Sequence, residues 1–305
     1  MANDILRQVR KTLTFGLLRL GMEASQKAKN PAVVEALRRA LKEITRIAVP
    51  LRKRLARNME LAGVSAGKLA DAYFERAIDQ MAMLAHVFRA GFRRSGCLEK
   101  FKFDDSFSVL ERAFASGRGV ISISPHICGY PLYPPVVSTR IPCSIYLRRN
   151  KDPRKMRITE AIGIAGEGHL VYPPAGATRA QRLQVAVDVL REGRMLFITP
   201  DTPRKPNEGV EVHLFGRTTY FPTGVFVMSM RTGAPVVPVW WHWDGNAYRI
   251  LYSEPIELPR RGGVKQRAEA ATCRWAEDVD RFLRQHPEMW WNWLDKRWTR
   301  IIRGT

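Results

Sequence analysis

Gly-Val-Ile-Ser-Ile-Ser-Pro-His (119–126) is the stretch from which the fold of this chain can be read. Its apolar residues are interrupted only by serine, and Gly119 and Pro125 bound it, so it reads as a short buried strand. Similar runs recur at 142–147, 169–172, 194–199, 235–243 and 247–252. Helical patterns fall between several of them, at 154–165, 179–192 and 222–232, and two more are expected at 264–285 and 287–302. Strands alternating with helices predict a mixed, mostly parallel central sheet covered by helices, an α/β fold. An antiparallel pair is expected around Asp244-Gly245-Asn246.

Upstream of residue 98 the texture is helical, with no convincing strand and with helices expected at 31–48 and 66–94. The expected organisation is therefore a basic helical segment over 1–98 and an α/β domain over 99–305. Residues 1–58 carry 14 Lys or Arg against 4 Asp or Glu, a large share of the net charge of +21. Within Asp4–Leu20, Ile5, Leu6, Val9, Leu13, Leu17 and Leu20 recur at helical spacing among Arg7, Arg10, Lys11 and Arg19. That pattern fits a helix lying in a bilayer interface, and equally a solvated helix packed on the core.

Such a basic chain favours nucleic acid, an anionic membrane surface or acidic partner proteins. Trp290, Trp291, Trp293 and Trp298 cluster with Lys296, Arg297, Arg300 and Arg303. Aromatic rings among cations stack bases or settle at a membrane interface; with no nucleic-acid motif of readable geometry beside them, the membrane is the expected partner and nucleic acid is not. No run approaches the ~18–20 apolar residues a membrane span needs, and no cleaved secretory signal is recognisable, so peripheral contact is expected. The four cysteines lack any Cys-x-x-Cys pair, which speaks against a disulfide framework or structural zinc.

His126 follows directly where the strand 119–124 ends, the place where α/β folds present reacting groups. An imidazole there can take a proton from a substrate hydroxyl near neutral pH. No Asp or Glu lies between Glu111 and Asp152 to orient it. Gly63-Val64-Ser65-Ala66-Gly67 satisfies the Gly-x-Ser-x-Gly pattern of serine hydrolases, but it follows a helix rather than a strand, and Ser65 is better placed to cap the next helix. No phosphate loop, dinucleotide fingerprint or zinc-protease helix is present, and no metal is expected.

Several segments together resemble the late acyltransferases of lipid A biosynthesis, the lauroyl and myristoyl transferases, within the lysophospholipid acyltransferase superfamily. They are the strand leading into His126; Ile145-Tyr146-Leu147-Arg148-Arg149; Asp201 followed by Leu214-Phe215-Gly216, Thr223-Gly224 and Thr232-Gly233-Ala234-Pro235-Val236-Val237-Pro238; and His286-Pro287-Glu288 followed by Trp293 and Lys296-Arg297-Trp298. Arg57-Asn58-Met59-Glu60-Leu61 is similar to the family's N-terminal helical region.

The resemblance implies a glycerolipid acyltransferase-like fold and transfer of a fatty acyl group from an acyl carrier protein or coenzyme A thioester to a hydroxyl of a membrane glycolipid, lipid A-like. The thioester is a co-substrate and no cofactor is implied; the site of action would be the cytoplasmic face of a bacterial inner membrane. The family's general base maps onto His126, and its carboxylate five residues later maps onto Pro131. Asp201 is the first candidate to replace that carboxylate, then Glu167 and Glu160; the plainer reading of Asp201 is a salt bridge with Arg204 or Lys205. Arg148 and Arg149 are candidates for phosphate of the acceptor or of the donor's pantetheine arm, and Arg204 joins them as a substrate-binding candidate. Gly224 opens the helix expected at 222–232, whose amides would face an anion or the thioester oxyanion, unless the segment is only a turn. Two alternatives stand beside this: a catalytically silent homologue that binds lipid or acyl carrier protein, and an acyltransferase diverted to another acceptor.

Overall fold

The computed structural model describes residues 23, 27, 30–147 and 152–305. The amphipathic stretch expected at 4–20 and the pair Arg148–Arg149 lie outside the described residues. The described strands are Phe101–Phe103 (β1), Val120–Ile123 (β2), Cys143–Tyr146 (β3), His169–Val171 (β4), Met195–Ile198 (β5), Val210–Leu214 (β6), Arg217–Phe221 (β7), Val236–Trp243 (β8) and Tyr248–Tyr252 (β9). Seven of them form one sheet in the order β1-β9-β8-β2-β5-β3-β4. Every neighbouring pair is parallel except β8–β9, which is antiparallel. Asp244 closes that hairpin by accepting the N–H groups of Asn246 and Ala247, with Gly245 at a φ of +101°.

Strand β2 sits in the middle, paired with β5 on one side and β8 on the other. All four of its residues are fully buried, as a central parallel strand requires. Gly119 feeds it at a φ of +68°, where a Cβ would lie 2.6 Å from the Leu190 carbonyl oxygen and 2.8 Å from that of Arg194. Only glycine lets the chain enter the sheet so close to its neighbour.

The described helices are Ala32–Ile47 (α1), Val49–Leu61 (α2), Gly67–Ala90 (α3), Phe107–Ala115 (α4), Tyr133–Val137 (α5), Pro153–Ala165 (α6), Arg179–Arg191 (α7), Gly224–Thr232 (α8), Val264–Gln285 (α9) and Lys296–Arg303 (α10). The helix expected at 31–48 ends at Ile47, and α2 begins afresh with Pro50 in its first turn, where the missing N–H costs nothing. The helix expected at 66–94 stops at Gly91, and Phe92–Arg94 continues as a 3₁₀ turn. No side chain caps α3, so the capping role expected of Ser65 is not found. Among the described residues, no helix is long and apolar enough to cross a membrane.

Two departures from the sequence reading shape the functional region. The first is a separate antiparallel hairpin, β6–β7, turning at Phe215-Gly216 with φ of +54° and +71°. Left-handed backbone at a phenylalanine costs ~1–2 kcal/mol. The ring offsets this by packing against Trp290 and Trp293, at centroid distances of 5.3 and 5.0 Å, while the Phe215 N–H donates to Asp280.

The second is the C-terminal end. In place of one helix over 287–302, two 3₁₀ turns (Pro287–Met289 and Trp291–Leu294) precede α10, because Asp295 caps a new helix by accepting from the N–H groups of Arg297 and Trp298. The tryptophan cluster expected at a membrane interface is instead interior. Trp290, Trp293 and Trp298 are fully buried, and Trp291 is partly so. Buried Asn58 of α2 ties this wall down, donating to Trp293 O at 2.8 Å and Thr299 Oγ1 at 3.1 Å and accepting from Arg303 Nε at 3.0 Å. One continuous core runs from Leu55 to Ile302, so the helices of residues 49–90 share it with the sheet.

Candidate active site

Parallel pairing of β2 with β5 brings two C-terminal strand ends to the same edge of the sheet. The last paired residues are Ile123 and Ile198, and the Ser124 N–H extends the ladder by donating to Ile198 O at 3.3 Å. Three residues beyond each strand come His126 and Asp201. Equal offsets from a shared register set the two side chains against one another.

Asp201 is fully buried and every polar atom of its side chain is engaged. Its Oδ2 accepts the His126 backbone N–H at 3.0 Å, Asn292 Nδ2 at 3.0 Å and Trp290 Nε1 at 3.3 Å. Its Oδ1 makes a close contact with His126 Nδ1. The Asp201 carbonyl accepts from Trp298 Nε1 at 3.2 Å. Three donors converging on one oxygen suit an acceptor-only, ionised carboxylate. Burial works to raise the Asp201 pKa, but the imidazole charge and the hydrogen bonds from His126 and Trp290 outweigh it, and the carboxyl titrates below its ordinary value.

An ionised Asp201 accepts the hydrogen bond of Nδ1–H, which fixes the imidazole tautomer with Nε2 as acceptor. Thr199 Oγ1 lies 3.0 Å from that Nε2 and donates to it. The histidine backbone is clamped as well: Trp291 N donates to His126 O at 2.8 Å, Ile127 bridges Trp290 in antiparallel fashion, and Cys128 N donates to Met289 O at 2.7 Å. Residues 289–291, at the junction of the two 3₁₀ turns, thus hold 126–128 in place through one isolated antiparallel bridge and its flanking hydrogen bonds. The His126 side chain remains 21% exposed while Asp201 is at 0%, so the imidazole is partly accessible and the carboxylate is not. The Tyr130 ring meets the imidazole edge-to-face at 5.0 Å. Burial, followed by the Asp201 charge, pushes its phenol up to about 12, so it stays neutral.

The sign of the Asp201 shift makes a stability prediction. A carboxyl whose folded pKa is depressed contributes stability that is fully present above the ordinary aspartate value of 3.8 and is lost as pH falls below it. Urea unfolding of the wild type is therefore expected to lose stability over that acid window by more than Asp201→Asn does. Identical acid dependence in the two proteins would contradict the assignment of a charged Asp201.

Of the other residues singled out in the sequence, Glu167 forms a surface ion pair with Arg93 at 2.9 Å, and Glu160 is half-buried on α6. Pro131, at the position where the resemblance expects a carboxylate, stands in the turn before α5. Arg204 is half-buried, and its backbone N–H donates to Tyr220 O at 2.9 Å. Gly224 begins α8, and no contact between it and the His126–Asp201 pair is found among the described residues. The structure brings in residues the sequence reading did not select: Thr199, Asn292, and Trp290 and Trp298 as donors to Asp201. A usable signal existed for Thr199, since Thr-Pro-Asp (199–201) closes a predicted strand. None existed for Asn292 and Trp290, which reach Asp201 across 91 and 89 residues of chain.

Among the described residues no group of three or more His, Cys, Asp or Glu is placed to hold a metal ion. A cavity of 670 Å³ walled by Trp240, His242, Phe282 and His286 does not include the His126–Asp201 pair in its lining. The pair itself lies just beyond the C-terminal ends of β2 and β5. An imidazole with one nitrogen fixed by a buried carboxylate and the other hydrogen-bonded to a hydroxyl is an arrangement for general-base activation of an oxygen nucleophile.

Comparison with protein-family models gives a match to bacterial lipid A biosynthesis acyltransferase over residues 34–300, most of the chain. Comparison with curated proteins gives no match.

Proposed function

The chain belongs to the bacterial lipid A biosynthesis acyltransferase family, and from that premise we propose that it moves a fatty acyl chain from a thioester, on acyl carrier protein or coenzyme A, to a hydroxyl of a membrane lipid or glycolipid of lipid A type. In this reading His126 Nε2 takes the proton of the attacking hydroxyl, and the thiol leaves with a proton returned from the imidazolium. Asp201 holds the tautomer and stabilises the imidazolium as it forms. The contact of His126 Nδ1 with buried, ionised Asp201 is the observation that supports this most. It supplies a carboxylate even though Pro131 has none to offer.

Work at the cytoplasmic face of the inner membrane fits the net charge of +21. It also fits α1, where Val33, Leu37, Ile44 and Ile47 recur at helical spacing and are exposed, Ile47 to 76%. A helix stripe left open in this way is suited to a lipid surface. Removing two such anchors with Ile44→Asp and Ile47→Asp is expected to weaken binding to anionic vesicles by about tenfold or more, since each apolar side chain contributes roughly 1.5–3 kcal/mol when fully buried. Unchanged vesicle binding by the double variant would count against this face.

The function itself is tested by assaying wild type and His126→Ala with acyl carrier protein and coenzyme A donors against a panel of lipid acceptors. Wild type is expected to form an ester product and His126→Ala to do so more slowly by about 10⁴-fold or more. Equal trace product from both proteins would leave a lipid- or carrier-binding protein in place of an enzyme.

A further inference from the structure

The chain leaves His126 through a tight turn. Tyr130 N donates to Ile127 O at 3.0 Å, and Gly129, the third residue of that turn, has a φ of +93°. Positive φ at the third position is the mark of a type II turn, and rotating the central peptide by half a revolution would convert it to type I. The turn's own hydrogen bond uses neither polar group of that central peptide, Cys128–Gly129. Both are taken up by distant parts of the fold. Trp241 Nε1 of β8 donates to Cys128 O at 2.6 Å, and Gly129 N donates to Gln80 Oε1 of α3 at 2.6 Å. Gln80 is 3% exposed and reaches the loop across 49 residues of chain. The peptide is therefore gripped from two sides, its carbonyl by the sheet and its N–H by the N-terminal helices.

The turn decides where Tyr130 sits. Its ring meets the His126 imidazole edge-to-face at 5.0 Å and the Trp291 ring at 6.4 Å. Hydrogen bonds at Nδ1 and Nε2 leave an imidazole free to rock about the line joining its two nitrogens, and contact with the Tyr130 ring opposes that motion. Asn58 of α2 does for the wall behind Asp201 what Gln80 does for the loop behind His126. Both halves of the pair thus lean on the N-terminal helices.

We propose that Gln80 is a positioning residue for the transfer reaction: it holds the Cys128–Gly129 peptide, and through it Tyr130, so that the His126 imidazole keeps its working orientation. This rests on the acyl-transfer reading of the same site and deepens it. Among the described residues Gln80 makes no hydrogen bond to His126 or Asp201, so its influence runs through the turn. A misplacement of about 1 Å at a reacting group costs on the order of 10²-fold in rate even when its origin is remote. A side chain that only stabilised the fold would lower the amount of folded protein and leave turnover per folded chain unchanged.

The test uses the full chain with Gln80→Met, similar in length but without an acceptor, and Gln80→Glu, which keeps an oxygen for the Gly129 N–H. Transfer from lauroyl-coenzyme A to a lipid acceptor is measured per folded chain, and hydrogen exchange is followed by mass spectrometry on the peptide covering 127–132. Gln80→Met is expected to speed exchange in that peptide and lower kcat by about 10²-fold, with KM for either substrate changed less than about threefold. Gln80→Glu should recover most of both, and adding Gln80→Met to His126→Ala should slow residual transfer no further. Unchanged exchange in Gln80→Met, a kcat within about threefold of wild type, or a loss confined to KM overturns the positioning role and leaves the proposed function standing. So does a Gln80→Glu variant that folds but is as slow as Gln80→Met. Wild type that transfers to no acceptor overturns the acyl-transfer reading and, with it, a role for Gln80 in that reaction; faster loop exchange in Gln80→Met would then show a structural grip alone.

Discussion

Asp201→Asn is expected to slow acyl transfer by about 10⁴-fold with the fold intact, the scale of loss seen when a catalytic histidine keeps its position but takes the wrong tautomer. The hydrogen bonds around residue 201 dictate that outcome. Three donors, from the His126 backbone, Trp290 and Asn292, point at Oδ2. In the amide that position must be oxygen, which turns the NH₂ group toward His126 Nδ1. The amide then donates where the carboxylate accepted, Nδ1 is left unprotonated, and the proton moves to Nε2. An Nε2–H cannot take a proton from any hydroxyl. Steady-state rates with an acyl thioester and a competent acceptor measure the effect, with circular dichroism as the control for folding. A loss of less than about tenfold would reduce Asp201 to a structural residue, because a working general base contributes ~10²–10⁴-fold.

Trp298→Ala is expected to destabilise the protein by about 3–5 kcal/mol, the range for truncating a buried tryptophan. Trp298 is fully buried and lies edge-to-face against Trp290 at 4.9 Å and Phe221 at 6.1 Å. Its Nε1–H also satisfies the Asp201 carbonyl at 3.2 Å. The variant therefore leaves a cavity and an unsatisfied buried acceptor directly behind the His126–Asp201 pair. Trp298→Phe, which keeps most of the volume, is expected to lose appreciably less. Urea unfolding of both variants checks the order; a loss below about 1 kcal/mol for Trp298→Ala would mean the C-terminal wall is not a core element.

The sheet was legible in the sequence because its strands are central and parallel, so they read as short apolar runs bounded by turn residues. The expected 119–124, 142–147 and 194–199 become Val120–Ile123, Cys143–Tyr146 and Met195–Ile198. The β6–β7 hairpin was missed although it carries a signal: Val210, Val212 and Leu214 alternate with polar residues, and Gly216 marks the turn. The phenylalanine at positive φ obscured it, since nothing local says that two distant tryptophans will hold that ring. The tryptophans were misread for a related reason. Composition among cations suggests an interface, whereas Asn58 and the capped α10 draw them inside through contacts spanning most of the chain.

The site shows the same division. His126 and Asp201 could be selected separately because each follows a strand end, and the parallel register between β2 and β5 is what joins them. The further donors to this pair, Trp290 and Asn292, depend on where the C-terminal wall folds back. Pro131 marks where the resemblance places a carboxylate, and the geometry offers Asp201 in its stead.

The claim that His126 and Asp201 act as one unit is tested most directly by a double-mutant cycle on transfer rate. With His126→Ala, Asp201→Asn and the double variant in hand, the expected result is that the double variant is no slower than His126→Ala alone, because a carboxylate has nothing to orient once the imidazole is gone. Losses that multiply, with the double variant slower by the product of the two single effects, would show that the residues act independently and would contradict it.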